Sequence, residues 1–121
     1  MCAAGHSLGE YSALYAARVF DFETGLRLVA ARGRAMAQAG RSRPGAMAAI
    51  IGLEIARIEA ICGQASSATE IAVVANDNSP GQSVISGDPA AVERACALAK
   101  EAGAKRALPL PVSGAFHSPL V

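Results

Sequence analysis

The sequence predicts a mixed α/β fold in which a βαββαβ unit lies between segments of a different kind. Between residues 44 and 111, short apolar runs of strand length alternate with stretches whose apolar residues recur at helical spacing. Residues 1–43 and 112–121 do not continue this order, because they hold a Gly-rich turn, two helical stretches and a terminal loop. These boundaries divide the chain into three predicted parts.

Two helices are expected within residues 1–43. Residues 8–18 contain Ala, Leu and Tyr without a helix breaker, which favours a first helix. Asp21 can cap a second helix, since its carboxylate can accept hydrogen bonds from backbone N–H groups of the first turn. This helix is expected to reach about Gln38 and to end at Gly40 and the residues that follow it.

Six elements are expected within residues 44–111. The second helix of this part is the better marked one, with Asp88 as cap, Pro89 at its first position and Gly103 after its end. The βαββαβ order is the split pattern of a ferredoxin-like unit, and its flanks make it look like an inserted subdomain. The expected order is strand 46–53, helix 54–64, strand 71–75, turn 76–81, strand 83–86, helix 88–103 and strand 106–110.

Charge and hydropathy exclude several classes of protein. The 11 Lys and Arg nearly balance the 10 Asp and Glu, so net charge gives no reason to expect nucleic acid or an anionic membrane as partner. The apolar runs are far shorter than the roughly 20 residues that cross a bilayer, and the start does not resemble a signal peptide. Cys2, Cys62 and Cys96 show no paired spacing, so neither a metal site nor a disulfide is expected. We expect a cytoplasmic enzyme.

Residues 5–9, GHSLG, fit a nucleophile elbow, a tight strand-to-helix turn that projects a serine hydroxyl into a site. Ser7 is then the candidate nucleophile. The backbone amide of Leu8, at the start of the next helix, is the candidate donor to a developing oxyanion. A simple helix-capping turn explains the same five residues and remains an alternative at this point.

A serine nucleophile needs a general base, and His6 and His117 are the two histidines of the chain. His6 is adjacent to Ser7 and points away from it in most turn geometries, so we place it beside the substrate or behind the turn. His117 lies in a loop-like stretch, and the order Ser then His is that of the elbow class. We therefore predict His117 as the base.

Arg32 stands apart from the other cations of its helix. At ~100° per residue, Arg27 and Arg34 share a polar stripe, whereas the angular neighbours of Arg32 are Leu28 and Met36. A guanidinium among apolar side chains needs an anionic partner, because an unpaired buried charge is costly. Arg32 is a candidate carboxylate-binding residue, and a structural ion pair or a side chain reaching to water is the alternative.

Five stretches resemble, in order, bacterial malonyl-CoA:acyl-carrier-protein transacylases. The resemblance runs through the whole chain. It implies an α/β-hydrolase-like core, in residues 1–43 and 112–121, with a ferredoxin-like subdomain inserted at 44–111. The matching stretches are residues 5–14 (GHSLGEYSAL), 32–33 (RG), 44–47 (PGAM), 78–82 (NSPGQ) and 114–118 (GAFHS).

The resemblance also implies an activity and its residues. Ser7 would take a malonyl group from malonyl-CoA and pass it to the phosphopantetheine thiol of acyl carrier protein, without a cofactor, in fatty-acid biosynthesis; polyketide synthesis stays open. Arg32 would bind the malonyl carboxylate, with His117 as base and the Leu8 amide as oxyanion donor. The implied substrate-contacting residues are Arg32, His6, Asn78, Gln82 and Phe116.

Two departures from the family pattern keep other functions open. The relatives' Gly-rich N-terminal loop and C-terminal segment are not found here, and Met1 stands only a few residues before the elbow, so we expect the natural chain to begin earlier. An inactive, carrier-protein-binding fragment is therefore one alternative. A serine hydrolase or esterase of the α/β-hydrolase type is another, although Arg32 has no purpose in an enzyme for neutral esters.

Overall fold

The computed structural model describes residues 2–112 and 114–121. They form two compact units, which divide between residues 36 and 37 and are treated separately. Among the described helices, none is both long and apolar enough to cross a membrane. The cytoplasmic location and the division at residues 43 and 111 stay predictions.

The first unit contains helix α1, Gly9–Ala16, and most of helix α2, Phe22–Ser42. The predicted cap is confirmed, because Asp21 Oδ1 accepts a hydrogen bond from the Thr24 amide at 2.8 Å. That bond also lowers the pKa of Asp21. None of the described residues 2–36 is buried.

Helix α2 is longer than predicted. It continues through Gly40 to Ser42, so the expectation that Gly40 ends the helix is wrong. Gly40 is buried, and a glycine inside a helix costs only about 1 kcal/mol relative to alanine. Packing of this turn of helix easily outweighs such a preference.

The second unit is built on a four-stranded sheet with the order β2-β3-β1-β4, in which every neighbouring pair is antiparallel. The predicted βαββαβ succession is confirmed. Its elements are β1 Ala46–Ile51, α3 Ile55–Ala65, β2 Ala72–Ser79, β3 Gln82–Gly87, α4 Pro89–Glu101 and β4 Arg106–Pro109.

The core of the second unit lies between α3, α4 and one face of the sheet. Ala48, Ile50 and Ile85 project from the sheet, and Ile58 and Ala95 project from the two helices. Small side chains dominate this core, which lets helices and sheet approach closely. This packing gives the second unit the buried interior that the first unit lacks.

Two local predictions in this unit need correction. The polar segment 76–81 is not a turn throughout, because β2 runs to Ser79 with register shifts and a two-residue turn leads into β3. Asp88 stands at the N-cap of α4, but its side chain makes no capping bond. Its carboxylate instead accepts the Ile71 amide at 2.8 Å and binds Arg43 at 3.2 Å. The Ile71 bond lowers the pKa of Asp88 more than the Arg43 pair does.

Ser86 in β3 is fully buried, and its hydroxyl has no hydrogen-bond partner among the described residues. Because an unpaired buried hydroxyl costs about 1–3 kcal/mol, we expect Ser86→Ala to raise the free energy of unfolding by up to that amount. Ser66→Ala is the matched control: Ser66 Oγ donates to Cys62 O at 2.7 Å and accepts the Ala72 amide at 2.9 Å, so its loss is expected to destabilise. The midpoint of urea denaturation measures the change in the free energy of unfolding for each variant, provided that the dependence of this free energy on urea concentration stays the same. A destabilised Ser86→Ala would contradict the prediction.

Candidate active site

The turn before α1 has two features of the predicted nucleophile elbow, a left-handed serine and a helix directly after it, whereas residues 2–5 before it do not form the expected strand. Ser7 has a φ of 52°, in the left-handed region that a non-glycine residue rarely adopts. The turn is closed by the amide of Gly9, which donates to His6 O at 2.9 Å, and by that of Glu10, which donates to Ser7 O at 3.2 Å. This fixed backbone determines the direction in which the Ser7 hydroxyl projects.

Gly5 allows the turn to close. A Cβ atom built on Gly5 would overlap the backbone carbonyl of Gly9, whereas a Cβ on Gly9 meets nothing within 4 Å. We expect Gly5→Ala to displace Ser7 and to slow its acylation by about 100-fold, the usual cost of a misplaced reacting group. Gly9→Ala, a matched change that favours the helix, should leave the rate nearly unaffected. The single-turnover rate of Ser7 acylation is measured for both variants. Equal rates would mean that the close approach of Gly5 to Gly9 does not position Ser7.

The Leu8 amide, the predicted oxyanion donor, lies at the start of α1. Leu8 is the N-cap of α1, where backbone N–H groups carry partial positive charge. Among the described residues, this amide donates no backbone hydrogen bond. It can therefore donate to a carbonyl oxygen of a substrate, and this role stays a prediction.

Arg32 and Ser7 lie in direct contact. Arg32 Nη2 donates a hydrogen bond of 2.8 Å to Ser7 Oγ, across 25 residues of sequence. Helix α2 therefore brings the predicted carboxylate-binding residue to the predicted nucleophile. These two side chains are the candidate centre of the site in the first unit.

The charge of Arg32 is not balanced within the described chain. Arg32 is half-buried, while Arg27 and Arg34 on the same helix are exposed, in line with the helical pattern. Within the described residues, no carboxylate oxygen lies within 4.0 Å of its guanidinium, in contrast to Arg27, which pairs with Glu23. A half-buried cation beside a neutral hydroxyl is suited to a ligand that brings its own carboxylate.

The two histidines occupy different settings. His6 is exposed in the turn of the first unit, and its carbonyl contributes to closing that turn. His117 is exposed in the second unit at a φ of 58°. Its loop is shaped by Ser118 Oγ, which donates to Ala115 O at 2.6 Å and accepts the Leu120 amide at 3.2 Å. The pairing of His117 with Ser7 stays a prediction.

The remaining candidates lie in the second unit. Asn78 near the end of β2 and Gln82 at the start of β3 are both exposed beside the hairpin turn. Phe116 is half-buried, and a Cβ on Gly114 would lie 2.8 Å from its ring, so the ring packs against the glycine backbone. Their contacts with a substrate stay predictions.

Two of the three cysteines, Cys62 and Cys96, are shielded from solvent and unlike reactive thiols. Cys62 lies in the core, and burial raises its pKa to about 11. Burial also raises the pKa of Cys96, whereas Cys2 is exposed. In the part of the chain that the structure describes, no three His, Cys, Asp or Glu side chains are grouped as metal ligands would be.

Comparison with known proteins decides the family of this chain. The acyl transferase domain family matches residues 2–121. The chain belongs to this family. Its elbow serine and half-buried arginine are therefore residues of an acyl transferase domain.

Individual relatives of this acyl transferase chain carry more specific names. It is 57% identical over 118 residues to the malonyl CoA-acyl carrier protein transacylase of Haemophilus influenzae, and 56% identical over 118 residues to that of Escherichia coli. Each match covers 98% of this chain and 38% of the relative. The chain thus spans little more than a third of the length of these curated relatives.

Solved structures agree in fold. An acyl-carrier-protein S-malonyltransferase from Burkholderia pseudomallei has 52% sequence identity and a TM-score of 0.88, covering 95% of this chain and 37% of the solved one. A malonyl-transacylase solved in complex with a type II polyketide acyl-carrier protein has 50% identity and a TM-score of 0.87, with the same coverage. The mixed α/β fold of the acyl transferase chain is therefore confirmed.

The sequence singled out Ser7 and Arg32 as candidates in this acyl transferase chain, but it did not predict the contact between them. It assigned Arg32 to a carboxylate and Ser7 to the acyl group, without predicting that the two would touch. Helical periodicity gives the direction of a side chain and not the distance to a residue in another element. The sequence places Gly5 and Gly9 on either side of Ser7, but it did not predict the close approach of Gly5 to the Gly9 carbonyl.

Proposed function

We propose that this chain supplies the acyl-binding part of an enzyme that moves malonyl groups from malonyl-CoA to the phosphopantetheine thiol of acyl carrier protein. The observation that carries the proposal is the contact of the half-buried Arg32 guanidinium with Ser7 Oγ at 2.8 Å. A nucleophile beside an uncompensated cation favours acyl groups that end in a carboxylate. The names of the relatives support the same substrates.

In the proposed reaction Ser7 attacks the thioester carbonyl of malonyl-CoA. His117 accepts the Ser7 proton and returns it to the departing thiolate of coenzyme A, while the Leu8 amide stabilises the oxyanion. The resulting malonyl ester on Ser7 is then attacked by the thiol of the carrier protein, and the same base takes and returns a proton. Neither step requires a cofactor.

The other candidate residues complete the proposed site. Phe116 limits the room beside the α-carbon of the acyl group and so favours malonyl over branched groups. Asn78 and Gln82 would line the channel for the pantetheine arm, and His6 would lie beside the acyl group. The order β2-β3-β1-β4, with α3 and α4 on one face, supports a ferredoxin-like subdomain. We propose that it is inserted in an α/β-hydrolase-like core.

The contact between Arg32 and Ser7 disfavours a hydrolase for neutral esters. Such an enzyme would hold a half-buried positive charge beside its nucleophile, and a neutral ester would supply no negative charge to pair with it. A transferase for acidic acyl groups uses that charge in every turnover. The same contact gives no reason for a purely carrier-binding role, which needs no prepared nucleophile.

The test uses a segment-exchange acyltransferase, defined as the Escherichia coli relative in which this chain replaces the matching 118-residue segment. This host is chosen because none of the described residues 2–36 is buried in the chain itself. Malonyl-CoA and pantetheinylated acyl carrier protein are supplied together, and products are identified by mass spectrometry. Malonyl carrier protein is the expected product. Free malonate as the main product, with unmodified carrier protein, would indicate a hydrolase and overturn the proposal.

A further inference from the structure

We propose that Ser118 is a positioning residue for His117, and that its hydroxyl holds the His117 loop in the conformation in which the imidazole can act as a base. This loop comprises residues 114–121, in the second unit. The inference rests on the proposed malonyl transfer, in which His117 takes the proton of Ser7. It adds a residue that acts on the reaction only through the histidine.

The backbone conformation of His117 needs support from its surroundings. Its φ of 58° lies in the left-handed region, which is unfavourable for a residue with a Cβ atom. Such a conformation is kept only where the surrounding structure determines it, and it occurs preferentially at functional sites. Because the His117 side chain is exposed, the contacts of its neighbours in the chain are the ones to consider.

The loop is anchored before His117 by Ala115, which is only 1% exposed. A Cβ atom built on Gly45, just before β1, would overlap the backbone of Ala115, so these two backbones are in direct contact. Gly45 therefore allows the loop to lie against the start of β1. This contact fixes the position of Ala115, but it does not fix the direction of the two residues that follow.

The Ser118 hydroxyl connects this anchor to the chain beyond His117. Its Oγ donates a hydrogen bond to Ala115 O at 2.6 Å and accepts one from the Leu120 amide at 3.2 Å. The Ser118 carbonyl also accepts the Val121 amide at 3.3 Å. One half-buried hydroxyl, used both as donor and as acceptor, thus ties the two sides of the loop together around His117.

Loss of this hydroxyl should release the imidazole rather than unfold the second unit. The core of the unit lies between its two helices and the sheet, and no residue of the His117 loop belongs to it. Without the two Oγ bonds, His117 can relax to a negative φ, which would carry the imidazole away from the position in which it takes the proton. A displacement of about 1 Å can slow a reaction by about 100-fold.

The experiment measures the single-turnover rate of Ser7 malonylation in the segment-exchange acyltransferase. We expect Ser118→Ala to lower this rate about 10- to 100-fold, and Ser118→Thr, which keeps the hydroxyl, to retain most of it. Ser67→Ala is the matched control, because Ser67 Oγ also accepts two backbone amides in a turn of the second unit, those of Thr69 and Glu70. No histidine adjoins this turn, so the control rate should change by less than about 2-fold.

A double-mutant cycle with His117→Ala separates positioning from a purely structural role. If Ser118 acts through the imidazole, Ser118→Ala should change the rate of the His117→Ala variant by less than about 2-fold. A residue that only supports the fold would instead slow the reaction by the same factor whether or not the imidazole is present.

Equal slowing by Ser118→Ala in the presence and absence of the imidazole, or no slowing at all, would overturn the inference and leave malonyl transfer intact. If Ser118→Ala does not fold, Ser118→Val replaces it, because valine has the shape of threonine without the hydroxyl. Equal rates for Ser118→Val and Ser118→Thr would then overturn the inference. Absence of malonyl-Ser7 from the unsubstituted protein, or a normal rate in His117→Ala, would instead overturn the proposed function and this inference with it.

Discussion

Ser7→Ala is expected to abolish acylation of the segment-exchange acyltransferase by malonyl-CoA, lowering the rate by about 10⁴-fold or more. The expectation follows from the strained turn at Ser7, whose φ is 52°, and from the absence of a Cβ at Gly5, which lets this turn close. No other hydroxyl of the first unit has an arginine donating to it among the described contacts.

The measurement is intact-protein mass after incubation with malonyl-CoA, followed by peptide mapping of the added malonyl group. Ser12→Ala is the matched control, because Ser12 is an exposed serine of α1, one turn beyond the elbow. The control should be malonylated at the normal rate. Malonyl label that persists in Ser7→Ala, or that maps to another residue in the unsubstituted protein, would refute the assignment.

His117→Ala is expected to slow malonylation of Ser7 by about 10²- to 10⁴-fold, the usual contribution of a general base. The reason is chemical: a serine hydroxyl is a weak nucleophile unless its proton is removed as it attacks. Exogenous imidazole should restore part of the rate, since it can accept that proton in the space left by the side chain. A merely structural histidine would not be rescued in this way.

His6→Ala provides the matched control, because these are the two histidines of the chain. His6 contributes its backbone carbonyl to the elbow, and this carbonyl is kept in the variant. Its rate should therefore fall far less than that of His117→Ala. If His6→Ala has the larger effect and responds to imidazole, the base has been assigned to the wrong histidine.

Local patterns were sufficient to predict the elements of the second unit but not their arrangement. The βαββαβ succession follows from apolar periodicity together with Pro89 and Gly103, whose φ of 94° suits only glycine. The strand order β2-β3-β1-β4 depends on packing between distant segments. The extent of β2 was underestimated because its last residues are polar, whereas pairing with β3 keeps them in the strand.

The candidate site was predictable where residue chemistry is unusual. A serine between glycines and an arginine outside its polar stripe are visible in the sequence. The 2.8 Å contact between them is not, because the packing of α2 against the elbow determines that distance. Two other effects of tertiary structure could not be predicted from the sequence. The hydroxyl of Ser86 is buried without a hydrogen-bond partner among the described residues, and the Asp88 carboxylate accepts the Ile71 amide instead of capping its helix.

A crystal structure of the segment-exchange acyltransferase, after incubation with malonyl-CoA, tests the central claim most directly. The account predicts a malonyl ester on Ser7 Oγ, with the malonyl carboxylate accepting two hydrogen bonds from the Arg32 guanidinium. An ester on another residue would contradict the account. So would a malonyl carboxylate that turns to water, away from Arg32.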